Sequence, residues 1–187
     1  MKKPKLAIVT GNSLKFRELS IALNEFVDCE QKQLTDYHEI QGTPEEILKH
    51  KLLAAYAEFQ EPVLADDTSL HFEALNGFPG PYIRDFFRVM KPWEMGEKFA
   101  GTRIEVACRL GLCFAPNDFI FGTGVISGDV IFPKSRDDKG TEFDLFVQID
   151  GTDRPMIEFS PEEKNKYSHR GLALTDLLQK VSARSLL

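Results

Sequence analysis

The sequence is poor in the features that mark several protein classes. Three cysteines, Cys29, Cys108 and Cys113, make an odd number without CxxC spacing, so they indicate neither a disulfide framework nor a structural zinc site. They read as ordinary thiols in a reducing compartment. No apolar stretch approaches the roughly 20 residues that cross a bilayer, and the run from Leu6 to Val9 is too short for the core of a secretory leader. The expectation is a cytoplasmic protein with no membrane partner. Positive charge is also scarce: 23 Lys and Arg stand against 29 Asp and Glu, a formal net charge of −6. That balance argues against a nucleic-acid polymer as partner, because its phosphates are normally met by a basic surface. A small anion held by a few local cations stays compatible. Repeats, linkers and low-complexity tracts are missing too, so the 187 residues are expected to form a single domain, 1–187, around one substantial core.

What is present is an alternation of short apolar runs and helical periods. Leu6 to Val9 is a β-type run, and Phe16, Leu19, Leu23 and Phe26 then recur at helical spacing. Thr43-Pro44-Glu45-Glu46 announces a second helix to about Phe59, with Thr43 as cap, Pro44 at the first position and Glu46 closing a capping box. "PVLADD" reads as a buried strand ending in Asp66 and Asp67, followed by a Gly- and Pro-rich loop, "NGFPGPYIRDFF". From Ile104 to Phe132, β-type runs alternate with turn signals, which predicts antiparallel pairing. Ser160-Pro161-Glu162-Glu163 repeats the capping logic, and Leu174, Leu177, Leu178 and Val181 mark a C-terminal amphipathic helix. The pattern predicts an α/β fold with a mixed sheet.

Several residues in this frame carry chemistry. A strand running into Gly11-Asn12 and then a helix gathers free backbone N–H groups and the positive helix end at one point, an anion site to which Lys15 adds a point charge. The spacing is not that of a Walker loop; taken alone, the stretch reads equally as a Gly-Asn turn with a solvated lysine. Asp66 and Asp67 point to opposite faces of their strand, so one acid is a candidate for the ligand crevice and the other its support. Lys51 shares the inward face of Ile47 and Leu48, though a snorkelling lysine is the plainer reading. "EKNKYSHRG" concentrates Lys164, Lys166, His169 and Arg170 where they can meet phosphate or a carbonyl. Glu39, in the polar loop "DYHEIQG", has no local feature to distinguish it. His38, His50 and His71 lack ligand spacing and read as structural or surface residues.

Three separated segments, "TGNSLKFREL", "LADDTSLHFEALNGFPGPYI" and "EKNKYSHRGLAL", resemble the signature motifs of the inosine triphosphate pyrophosphatase family, in the family's order and over nearly the whole chain. The resemblance implies a two-lobed α/β fold with a long central mixed sheet, flanking helices and a deep cleft between the lobes, and usually a homodimer. It implies hydrolysis of inosine, deoxyinosine and xanthosine triphosphates to the monophosphate and pyrophosphate, with Mg2+ as cofactor. Carried over by position, Thr10, Gly11, Asn12, Ser13, Leu14 and Lys15 would hold the triphosphate, with Lys51 and Lys164 on its phosphates. Glu39 and Asp67 would hold the metal, Asp67 would activate water as the catalytic residue, and Thr68 would assist. His169 and Arg170 would read the purine edge, Phe143 and Asp144 would complete the base site, and Arg84 falls where relatives can carry a basic residue.

The base site departs from the family pattern. In "GTEFDLFVQIDG", Leu145 replaces a usual proline, and Thr141 and Glu142 stand where relatives often have Phe-Gly. Stacking of a base on an aromatic ring contributes about 1–3 kcal/mol, so a lost platform would shift affinity roughly ten- to a hundredfold. The departure motivates two alternatives: a nucleotide-binding homologue without hydrolysis, or a pyrophosphatase with shifted base preference.

Overall fold

The structure, a computed structural model, describes residues 2–136 and 142–185. Its frame begins with β1 (Lys5–Val9), α1 (Ser13–Leu23) and β2 (Asp28–Lys32). β1 pairs in parallel with β2 on one side and with β3 (Val63–Phe72) on the other, and α2 (Pro44–Phe59) makes the crossover to β3. Thr43 caps α2 in a reciprocal capping box with Glu46, as its sequence predicts.

Beyond β3 the strand direction reverses. β4 (Pro79–Gly80), α3 (Ile83–Val89) and α4 (Pro92–Phe99) precede a long hairpin of β5 (Arg103–Ala115) and β6 (Asp118–Val130). β5 pairs antiparallel with β3 through all ten residues from Val63 to Phe72, β6 pairs with β5, and β7 (Val147–Ile149) closes the far edge. The seven-stranded mixed sheet runs β2-β1-β3-β5-β6-β7, with β4 beside β3. α5 (Pro161–Tyr167) and α6 (His169–Ser185) complete the chain.

Two sequence expectations change here. β3 does not end at the acids but continues five residues past Asp67, because Leu70 and Phe72 extend its buried alternation. The Gly- and Pro-rich loop is folded: it holds β4 and α3, whose Ile83 and Phe86 pack against the core.

Three apolar clusters explain the layering. Leu19 and Leu23 of α1 and Leu174 and Leu177 of α6 cover one face of the sheet through Leu64 and Leu110. Leu48, Leu52 and Ala55 of α2 cover the other through Val9, Val63 and Ala65. Phe72, Met95, Phe99, Val106, Ile126 and Phe146 form a third cluster at the far end of the hairpin, the core of the second lobe. Each fully buried Leu or Phe contributes about 1.5–3 kcal/mol of burial. Glycines set how closely α6 lies on β6: a Cβ on Gly124 would stand 2.1 Å from the His169 carbonyl oxygen, and one on Gly122 2.3 Å from that of Ala173. That contact seats the start of α6 on β6, from where the Arg170 side chain reaches Asp66 of β3.

Candidate active site

The β1–α1 turn is built around Asn12. Its side chain caps α1, with Oδ1 accepting from the amides of Leu14 at 2.9 Å and Lys15 at 3.2 Å. The Thr10 amide donates to the Lys32 carbonyl, and the Asn12 amide donates to Thr10 Oγ1. Of the six backbone amides expected to face phosphate, those of Gly11 and Ser13 remain without a partner among the described residues. The turn is therefore a narrower anion cradle than the sequence suggests, because the helix uses part of it for its own cap.

Lys15, in the first turn of α1, is only 18% exposed and reaches the sheet. Its ammonium lies 2.9 Å from Asp66 Oδ2 and 3.5 Å from the Thr68 hydroxyl. Lys51 reaches the same strand from α2 and donates to the Asp66 carbonyl oxygen at 3.0 Å, so it points inward rather than snorkelling. Burial lowers the Lys51 pKa, and Lys15 adds to that effect against the pull of Asp66.

The two acids of β3 have opposite fates. Asp66 is buried, and burial alone would raise its pKa, but Lys15, Arg170 and Lys51 hold it well below the usual carboxylate range. Asp67 faces the other way. Burial raises its pKa from 3.8 to about 7, with Lys15 and Lys51 opposing and Asp66 and Glu39 adding to the rise. Asp67 Oδ2 is buried and has no hydrogen-bond partner among the described residues. An orphaned carboxylate oxygen in such a place is a ligand position awaiting a cation or a proton. Glu39 lies on the exposed loop between β2 and α2, near enough to Asp67 to influence its charge. Among the described residues no three His, Cys, Asp or Glu cluster as a metal cage. An exposed carboxylate and one with an unpaired oxygen are the donor type preferred by a hard cation that keeps part of its hydration, so the chemistry of these residues fits magnesium.

α5 and α6 bring the C-terminal residues onto the α1 side. Arg170 is buried, with Nη1 donating to Glu18 and Nε 3.4 Å from Asp66 Oδ2; its Nη2 makes no hydrogen bond among the described residues. Lys164 pairs with Asp144 and lies 3.5 Å from Glu18. Asp144 and Glu18 raise the Lys164 pKa although its burial pulls the other way. His169 is 1% exposed, and neither ring nitrogen has a partner among the described residues. Burial first, then Arg170 and Lys15, keeps its imidazole neutral, with a pKa well below 6.5. Phe143 meets it edge-on at 5.3 Å between ring centroids and is itself only 3% exposed, within the apolar cluster of the second lobe. Thr141 lies outside the described residues. Lys166 is exposed and turned to Tyr167, and Arg84 is exposed in the first turn of α3.

The structure thus brings Lys15, Lys51, Asp66, Asp67, Thr68 and Arg170 together, with Lys164 and Asp144 joined to them through Glu18, and His169 next to Arg170 in the chain with its ring against Phe143. Sequence reasoning missed Glu18. The available signal was an acid one turn beyond Lys15, bordered at helical spacing by Leu14, Ile21 and Ala22.

Comparison with known proteins shows the family. A family model described as the Ham1 family matches residues 6–180. The chain belongs to the Ham1 family. Within the curated members it resembles proteins named inosine triphosphate pyrophosphatase. The one from Encephalitozoon intestinalis is 32% identical over 98% of this chain and 95% of its own length. The one from Mycosarcoma maydis is 34% identical over 96% and 95%, and the one from Emericella nidulans 35% identical over 91% and 93%. The Ham1 protein structure from Coxiella burnetii superposes with a TM-score of 0.79 at 23% identity, covering 96% of this chain and 99% of that one. At that identity the likeness establishes the shared fold.

Proposed function

We propose that this Ham1 family chain hydrolyses inosine, deoxyinosine and xanthosine triphosphates to the monophosphate and pyrophosphate, with Mg2+ held by Glu39 and Asp67. The observation that carries the reading is the orphaned Asp67 carboxylate beside the cations Lys15 and Lys51, reinforced by relatives that bear the pyrophosphatase name. Magnesium bound there would neutralise phosphate charge and polarise the bond to be cleaved. The chain's own residues do the rest. The Gly11 and Ser13 amides with Lys15 hold the phosphate chain, and Asp66 aims the Lys15 ammonium. Asp67, whose Oδ2 is unpaired among the described residues, orients the attacking water and takes its proton. Arg170, fixed by Glu18 and Asp66, offers Nη2 to the purine oxygen at position six, where adenine carries an amine.

A second reading keeps the hydrolysis and changes the base. It rests on Phe143, whose ring is packed against His169 rather than open for stacking. One assay separates these readings from a binding module. Pure protein with magnesium and a panel of nucleoside triphosphates is followed for pyrophosphate and orthophosphate separately. Pyrophosphate from inosine and xanthosine substrates is expected; preference for another base selects the second reading, and binding without turnover rejects both.

A further inference from the structure

Residues 33–42 run from the end of β2 to the cap of α2 and make no backbone–backbone hydrogen bond among the described residues. Side chains must therefore hold the loop. At its start the Thr35 amide and hydroxyl donate to the Glu58 carboxylate of α2, the hydroxyl at 2.9 Å. At its end the Tyr82 hydroxyl donates to the Gly42 carbonyl at 3.4 Å. Between these anchors the chain passes through Asp36, at φ +50°, a region non-glycine residues rarely occupy. Glu39 lies in this stretch and is exposed, so its carboxylate is only as well placed as its loop.

Between Thr35 and Gly42, the side chain hydrogen-bonded to α2 among the described residues is Tyr37. Its hydroxyl stands 3.4 Å from His50 Nδ1, and the two rings lie 5.7 Å apart at 33°. Tyr37 is half-buried and lies two residues before Glu39 on the same loop. His50 immediately precedes Lys51 on α2, so one turn of helix carries both the inward lysine and the loop's anchor.

We propose that Tyr37 and His50 are a positioning pair that fixes the Glu39 loop on α2 and so sets how tightly the Glu39 and Asp67 carboxylates take a divalent cation. This rests on the metal reading above. Holding a loop in one conformation removes an ordering entropy that binding would otherwise have to supply. Residues that orient metal ligands typically change affinity by about 10- to 100-fold. A contact made through one long hydrogen bond and a tilted ring pair belongs at or below the lower end of that range.

The test is titration of the full chain with Mn2+ in the absence of nucleotide, followed by electron paramagnetic resonance of the free ion. Tyr37→Leu and His50→Ala are each expected to weaken binding about three- to tenfold, with unfolding midpoints unchanged and with Tyr37→Phe falling between wild type and Tyr37→Leu. The Tyr37→Leu/His50→Ala double variant should bind no more weakly than the weaker single, because both remove the same contact. Glu39→Gln serves as the control and should weaken binding more than either. Wild-type affinity in the Tyr37 and His50 variants with weakening in Glu39→Gln overturns the pair and leaves the metal site standing. Additive losses in the double variant also overturn the pair. Unchanged binding in Glu39→Gln overturns the metal site and the positioning role with it.

Discussion

Asp66 and Asp67 are consecutive residues of β3 that serve opposite layers of the molecule. Asp66 shares the face of Leu64 and Leu110 with α1 and α6 and is neutralised by Lys15 and Arg170; Asp67 shares the face of Val63 and Ala65 with α2 and keeps an oxygen unpaired. One acid organises cations, and the other is available for chemistry.

Asp67→Asn is expected to lower pyrophosphate release by at least about 10²- to 10⁴-fold, the range for loss of a general base. The fold should persist, since burial disfavours the charge that the substitution removes. Turnover assays with circular dichroism check both parts; near-wild-type turnover would falsify the assignment of Asp67.

The raised pKa of Asp67 also predicts a pH dependence of stability. In the unfolded chain the carboxyl loses its proton near 3.8, and in the folded protein near 7. Between those values the native state binds the extra proton, so this group's contribution falls as pH rises from about 4 to about 7. Neutral His169 works in the opposite sense, costing stability as pH drops below 6.5, where the unfolded ring becomes protonated. Wild-type curves mix the two. The difference between wild type and Asp67→Asn isolates the acid: urea denaturation in metal-free buffer should show the variant gaining on wild type steadily as pH rises across that window.

Arg170→Ala tests the buried charge network. The substitution leaves Glu18 and Asp66 buried and short of a partner. Breaking one side of a buried pair typically costs about 3–5 kcal/mol, so a marked fall in the urea midpoint is expected. A change within about 0.5 kcal/mol, the scale of an ordinary surface substitution, would show the network to be energetically slack.

Much of this was legible in the sequence, and the misses share a cause. The caps at Thr43 and Ser160 read correctly because both partners of each box lie three residues apart. The β1–α1 turn and the inward face of α6 were legible for the same local reason. Glu18 and the anchoring role of His50 were not, because each acquires its meaning from residues far along the chain: Arg170 lies 152 positions from Glu18, and Tyr37 13 from His50. β3 read short because a doublet of acids resembles a strand end, whereas ion pairs with residues distant in the sequence let it continue through a buried sheet.

Asn12→Ala probes the cradle. Loss of the cap should cost about 1 kcal/mol and release the Leu14 and Lys15 amides, loosening the first turn that carries Lys15. The expected kinetic signature is a raised KM with a smaller change in kcat, measured by initial rates of pyrophosphate release.

The uninterrupted pairing of β3 with β5 has a consequence for how this chain tolerates change. Sliding β3 by one position would exchange the two acids between layers, setting the carboxylate reserved for reaction against Lys15 and Arg170 and turning its neighbour toward α2. Point substitutions along the strand can be absorbed by repacking, but an added or lost residue ahead of Asp66 would invert the centre while leaving its composition intact. Length, more than identity, is what this strand must conserve.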